Sequence, residues 1–144
     1  IVAVTLSNPA LVFSFSNSTS SSVTLNLTSN VVGNYSICGT NSTYNSTYLE
    51  PSDVMSCTDE TVNMMPLTKF GTIPEAVSTQ VTIVGLKGNT TYQFFAVVRK
   101  NLPVSSISAI QRAVGTTQAS TNFGERLFGL SLMVICFLGL IIFN

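Results

Sequence analysis

Residues 81–118 read VTIVGLKGNTTYQFFAVVRKNLPVSSISAIQRAVGTTQ, and this stretch decides the fold. Val81, Ile83 and, after a short step, Leu86 form one apolar run; Tyr92, Phe94, Ala96 and Val98 form a second and stronger one. Apolar residues at every other position mark a strand with one face buried and one face wet. Lys87, Gly88 and Asn89 separate the two runs and carry turn chemistry. A third run, Ile107, Ala109 and Gln111, is expected to complete the set.

The same alternation extends towards the N-terminus. Leu11, Phe13 and Phe15 alternate with Val12, Ser14 and Ser16; Val23, Leu25 and Leu27 alternate with Thr24, Asn26 and Thr28; Tyr35 and Ile37 alternate with Ser36 and Cys38. Short strands separated by Ser, Asn and Gly turns indicate an all-β antiparallel sandwich or barrel. Residues 81–118 resemble the C-terminal half of a fibronectin type III domain. Leu86, Thr90, Tyr92, Phe94, Ala96 and Val98 sit at that family's E-strand leucine, turn threonine, tyrosine and alternating F-strand positions. Ser105, Ser106 and Ser108, then Thr116-Thr117, match the Ser-rich approach to its last strand and the Thr-Thr pair that ends it. The resemblance implies a tyrosine corner at Tyr92, its ring buried and its hydroxyl bonded back to the turn backbone. The segment SSVTLNLTSNVVGNYSICGT lies on the B and C strands, with Tyr35 as the C-strand tyrosine. The chain departs from the family in two respects. Leu27 stands where a B-strand tryptophan is usual, and residues 40–76 are longer than the usual C-to-E connection. A different immunoglobulin-like sandwich is the alternative.

Composition narrows the function. The chain has 144 residues, 45% hydrophobic and 8% charged, with six bases balancing six acids and no histidine. One domain fits this length. Without clustered Lys and Arg, nucleic acid is not an expected partner. Without histidine, the commonest general base and metal ligand are missing. Lys69, Lys87 and Lys100 stand singly, so no Ser has an evident base, and neither catalysis, a cofactor nor a small-molecule substrate is expected. Glu50, Asp53, Asp59 and Glu60 lie near Cys57 but lack the spacing of a calcium loop, and read as a solvated acidic loop. Arg99, Lys100 and Arg112 read as surface charge or a small basic patch.

Sequons stand at Asn17, Asn26, Asn34, Asn41, Asn45 and Asn89. Their number points to a lumenal or extracellular domain. Asn26, Asn34 and Asn89 are expected to face outward, because Leu25, Leu27, Tyr35 and Tyr92 must face inward. Cys38 and Cys57 make an even pair, and their bond would close a loop of about twenty residues, worth about 3 kcal/mol. Ile1 is not an initiator Met, so the numbering is expected to begin at a processed N-terminus or inside a longer chain.

Residues 127–143 read LFGLSLMVICFLGLIIF, without a charge. As a helix this segment is about 25 Å long, just short of a hydrocarbon core of about 30 Å. The leading expectation is a retained transmembrane helix, with the small residues Gly129, Ser131, Cys136 and Gly139 available for contact with a neighbouring helix. The alternative is a glycosylphosphatidylinositol signal, with small attachment residues in 115–122. The expected organisation is therefore an extension (1–9), a sandwich (10–118) with its long insert (40–76), a linker (119–126) and the membrane segment (127–143). The fold class is all-β, a fibronectin type III or immunoglobulin-like antiparallel sandwich plus one C-terminal transmembrane helix. The expected function is a single-pass glycoprotein of the plasma membrane or another secretory-pathway membrane. It would act as a non-enzymatic interaction module, a subunit of a membrane complex that meets other proteins through the sandwich and the helix, with lipid as its other partner. A glycosylphosphatidylinositol-anchored adhesive or coat-forming cell-surface glycoprotein is the other reading.

Overall fold

Val23, Leu25 and Leu27 are fully buried, whereas Ser22, Thr24, Asn26 and Thr28 are only partly so. That alternation makes Ser22–Ser29 the central strand of a sheet whose second face is open. The computed structural model describes residues 7–41, 49–57, 67–101 and 104–121. Its strands are β1 (Leu11–Ser18), β2 (Ser22–Ser29), β3 (Gly33–Thr40), β4 (Lys69–Ile73), β5 (Thr79–Val84), β6 (Thr91–Lys100), β7 (Ser106–Ile107) and β8 (Gln111–Thr116), with one helix, α1 (Pro51–Ser56), between β3 and β4.

Two antiparallel sheets face each other. One has the order β1-β2-β5; the other has the order β4-β3-β6, with β7 and β8 both pairing with β6. Leu11, Phe13, Val23, Leu25, Leu27, Val81 and Ile83 from the first sheet meet Tyr35, Ile37, Ile73, Tyr92, Phe94, Ala96, Val98 and Ala113 from the second. Each Val, Leu, Ile and Phe among them gains about 1.5–3 kcal/mol on burial, which makes the interface between the sheets the main source of stability. Among the described residues most loops lie at the two ends of the sandwich, while residues 108–110 run beside the middle of β6. One end, the tip, holds residues 30–32, 74–78, 101 and 104–105. The other end, the base, holds residues 19–21, 41, 85–90 and 117–121.

The second sheet is covered on its other face as well. Cys38, Phe95 and Val97, on the opposite pleat from Ile37, Phe94 and Ala96, cluster with Leu49 and Val54. Helix α1 forms the roof over them. Pro51 begins it, the carboxylate of Asp53 accepts the Glu50 backbone N–H at 2.9 Å, and Cys57 ends it in the left-handed conformation. Six residues cannot hold a helix alone. Here a Cys38–Cys57 disulfide (Cα–Cα 5.8 Å) and a 2.6 Å hydrogen bond from the Ser36 hydroxyl to the Val54 carbonyl fix α1 to β3.

Several expectations need correcting. The transmembrane helix is not part of this architecture: no helix among the described residues is long and apolar enough to cross a membrane. Helix α1 spans only about 9 Å at 1.5 Å per residue, and residues 127–143, with Gly129, Ser131, Cys136 and Gly139, lie outside the described residues. Among the described residues the fold is an all-β sandwich with one short helix. The last strand among the described residues is Gln111–Thr116, not the run through Ile107, Ala109 and Gln111. Ile107 and Ile110 pack against the α1 cluster instead, and Ala113 supplies the inward position. Phe15 keeps the inward position with its ring against Gly115 although it is 39% exposed, and the bulge that follows it ends the alternation of β1.

Candidate functional site

The charged residues singled out from the sequence are not gathered into a chemical site. Asp53 is occupied in capping α1, while Asp59 and Glu60 lie outside the described residues. Among the described residues no group of three His, Cys, Asp or Glu is placed to hold a metal ion. Arg99 and Arg112 lie on the pleat of Phe95 and Val97, since Arg112 is the cross-strand partner of Phe95. Lys100 takes the opposite pleat, so strand alternation divides the expected basic patch. Lys69 is exposed on the edge strand β4, and Lys87 sits in the turn before β6.

The base is closed by a hydrogen-bonded knot. Tyr92 is 2% exposed, and its hydroxyl oxygen accepts the Lys87 backbone N–H at 2.9 Å. The buried Thr117 hydroxyl donates to the Lys87 carbonyl at 2.6 Å and accepts the Thr90 backbone N–H at 3.0 Å. Asn89 stands exposed between them with a positive φ of 50°, a conformation that Asn tolerates better than most residues. Thr116 lies on the outer pleat, where its hydroxyl meets that of Thr91 at 2.9 Å. Tyr35 is also enclosed, with its ring against the backbone of Gly71, and burial pushes its phenol above the ordinary value.

The sequons are distributed unevenly. Asn17 at the end of β1, Asn41 just after β3 and Asn89 in the β5–β6 turn are exposed and lie at the base. Asn26 is on the outer face of the first sheet while Leu25 and Leu27 are fully buried, as expected from the register. Asn34 is half-buried on the α1 side of β3, a face that the sequence reading took to be open. Asn45 lies outside the described residues.

The tip has a different surface. Val32, Val77 and Val104 are 65%, 54% and 59% exposed. Backbone contacts hold the strand ends beside these loops. The Ala76 N–H donates to the Ser29 carbonyl at 2.7 Å, and Gly33 lies so close to the Arg99 carbonyl that any side chain there would collide with it. The Asn30 side chain adds residues 8–10 to this end, accepting the Ala10 N–H at 2.7 Å and donating to the Asn8 carbonyl at 3.1 Å. Sequence reading missed this cluster, because three single valines in three loops have no period. The usable signal was the absence of any sequon from those loops.

No family model and no curated relative matches the chain. Among solved structures, the sensor domain of the anti-sigma factor RsgI4 in Pseudobacteroides cellulosolvens is similar, at 21% identity and a TM-score of 0.43, over 81% of this chain and 100% of that one. At that score the likeness carries no argument about function.

Proposed function

We propose that this chain is an extracellular or lumenal, N-glycosylated interaction module of the fibronectin type III kind, which binds another protein through its tip. The carrying observation is the segregation of its surface. Exposed valines from three loops lie at the tip, while the exposed sequons Asn17, Asn41 and Asn89 lie at the base. Carbohydrate is bulky and solvating, so glycans at one end leave the other free for protein contact. The disulfide between Cys38 and Cys57 fits an oxidising compartment. The order β1-β2-β5 against β4-β3-β6-β8, with the Tyr92 hydroxyl bonded five residues upstream, supports the fibronectin type III reading.

Glycan wedges test this. Val77→Asn completes a sequon with Thr79, and Val104→Asn completes one with Ser106. Both would be made in the full chain in eukaryotic cells, and neighbours captured by cell-surface cross-linking would be compared with those of the unaltered protein. Each wedge should abolish capture, whereas Asn89→Gln, which removes a base sequon, should leave it intact. Capture that survives both wedges would rule out the tip.

A further inference from the structure

We infer that Asn26 carries an N-linked glycan that roofs the outer face of the β1-β2-β5 sheet and keeps that face from associating. The inference rests on the secretory reading above and goes further, because it assigns one sequon a structural task. Strands β1, β2 and β5 contain no Asp, Glu, Lys or Arg. Their outer face carries Val12, Ser14, Thr24, Asn26, Thr28, Gln80, Thr82 and Val84, of which Val12 and Val84 are 68% and 64% exposed. Some hydroxyls there are engaged with each other, as in the 3.1 Å contact between the Thr24 and Thr82 side chains. A solvent-facing surface normally carries interspersed charge that keeps it soluble and unassociated. The described charges of this chain all lie elsewhere: on the second sheet, on or beside α1, or in the turns.

Asn26 lies in the middle of this face, on the central strand, with Ser14 beside it on one side and Gln80 on the other. Its Oδ1 is enclosed without a hydrogen-bond partner. An orphaned acceptor of this kind costs about 1–3 kcal/mol. The sequon is complete through Thr28. The oligosaccharide comes from a lipid pyrophosphate donor. A bond forms between C1 of the first sugar and Nδ2 of Asn26, the bond from C1 to the pyrophosphate oxygen breaks, the lipid pyrophosphate leaves, and one Nδ2 proton is lost to base. The product keeps Oδ1 as an acceptor and places the carbohydrate over Ser14, Thr24, Gln80 and Thr82.

The test is glycopeptide mapping of the full chain from eukaryotic cells, together with light scattering. Asn26 should be occupied. Thr28→Ala and Asn26→Gln should each remove that glycan alone and convert a monomer into dimers or larger species. Thr28→Ser should keep both the glycan and the monomer. Adding Gln80→Lys to Thr28→Ala should restore the monomer by supplying charge, which separates a lost shield from a lost fold. An unmodified Asn26 beside occupied Asn17, Asn41 and Asn89 would overturn the inference and leave the secretory reading standing. A chain without any glycan would overturn both. A Thr28→Ala protein that stays monomeric would overturn the shielding role.

Discussion

The two sheets of this sandwich use their outer faces in opposite ways. The β1-β2-β5 sheet leaves its outer face to solvent, so its strands read as alternating apolar and hydroxyl residues. The sheet built on β3 and β6 buries both faces, one against the first sheet and one beneath α1. Its central strand β6 is buried from Tyr92 to Val98 without a break. The fold therefore contains two apolar clusters of unequal size, and the smaller one depends on a helix that a disulfide holds in place.

The largest test of this contrast is at Phe95. Phe95→Ala removes a fully buried ring from beneath α1 and should cost about 3–5 kcal/mol, measured by denaturant unfolding. The outward-facing Thr82→Ala on the open sheet should change stability by less than about 0.5 kcal/mol. Equal effects at the two positions would mean that the second cluster contributes nothing. Replacing Cys38 and Cys57 together by Ala should cost about 3 kcal/mol for a bond that spans 19 residues. The loss should appear as earlier hydrogen exchange in α1 than in β2.

A smaller effect belongs to the base. Tyr92→Phe keeps the ring but orphans the Lys87 N–H, and should lower stability by about 1 kcal/mol in thermal unfolding. The smallest concerns alkaline pH. Burial raises the Tyr35 phenol above 10.0, so the neutral form is favoured in the folded state. Its contribution is complete below pH 10.0 and is lost as pH rises through the folded value. Unfolding midpoints should stay level towards that pH and then fall, and Tyr35→Phe should fall less steeply.

The contrast between the sheets also explains what could be read in advance. Leu25 and Leu27 against Thr24 and Asn26 set the register of β2, because water on one face forces a period of two. The apolar FFAVV of β6 breaks that period: Phe95 and Val97 stand where a half-buried strand would be polar. Those two residues were the available sign of a covered second face. Helix α1 is too short for a helical period, although Pro51 and Asp53 are start signals. Strand β4 carries the strand formers Phe70, Thr72 and Ile73, but Gly71 at its centre, where Tyr35 leaves no room for a side chain, interrupts the run. The tip was illegible because only tertiary structure brings its three loops to one end, whereas the sequons that avoid it were plain in the chain.

The clamp by Asn30 has a mechanical consequence. It ties residues 8–10 to the tip, while β8 delivers residues 117–121 to the base, where the Gln118 N–H donates to the Thr19 carbonyl at 2.9 Å. Tension applied through residues 8 and 121 therefore runs along the strands, over roughly 25 Å for eight residues of β1. The β1–β2 ladder is then loaded in shear, with its hydrogen bonds sharing the force side by side instead of opening one at a time. A module held at its base and gripped at its tip would resist extension until that ladder gave way as a unit.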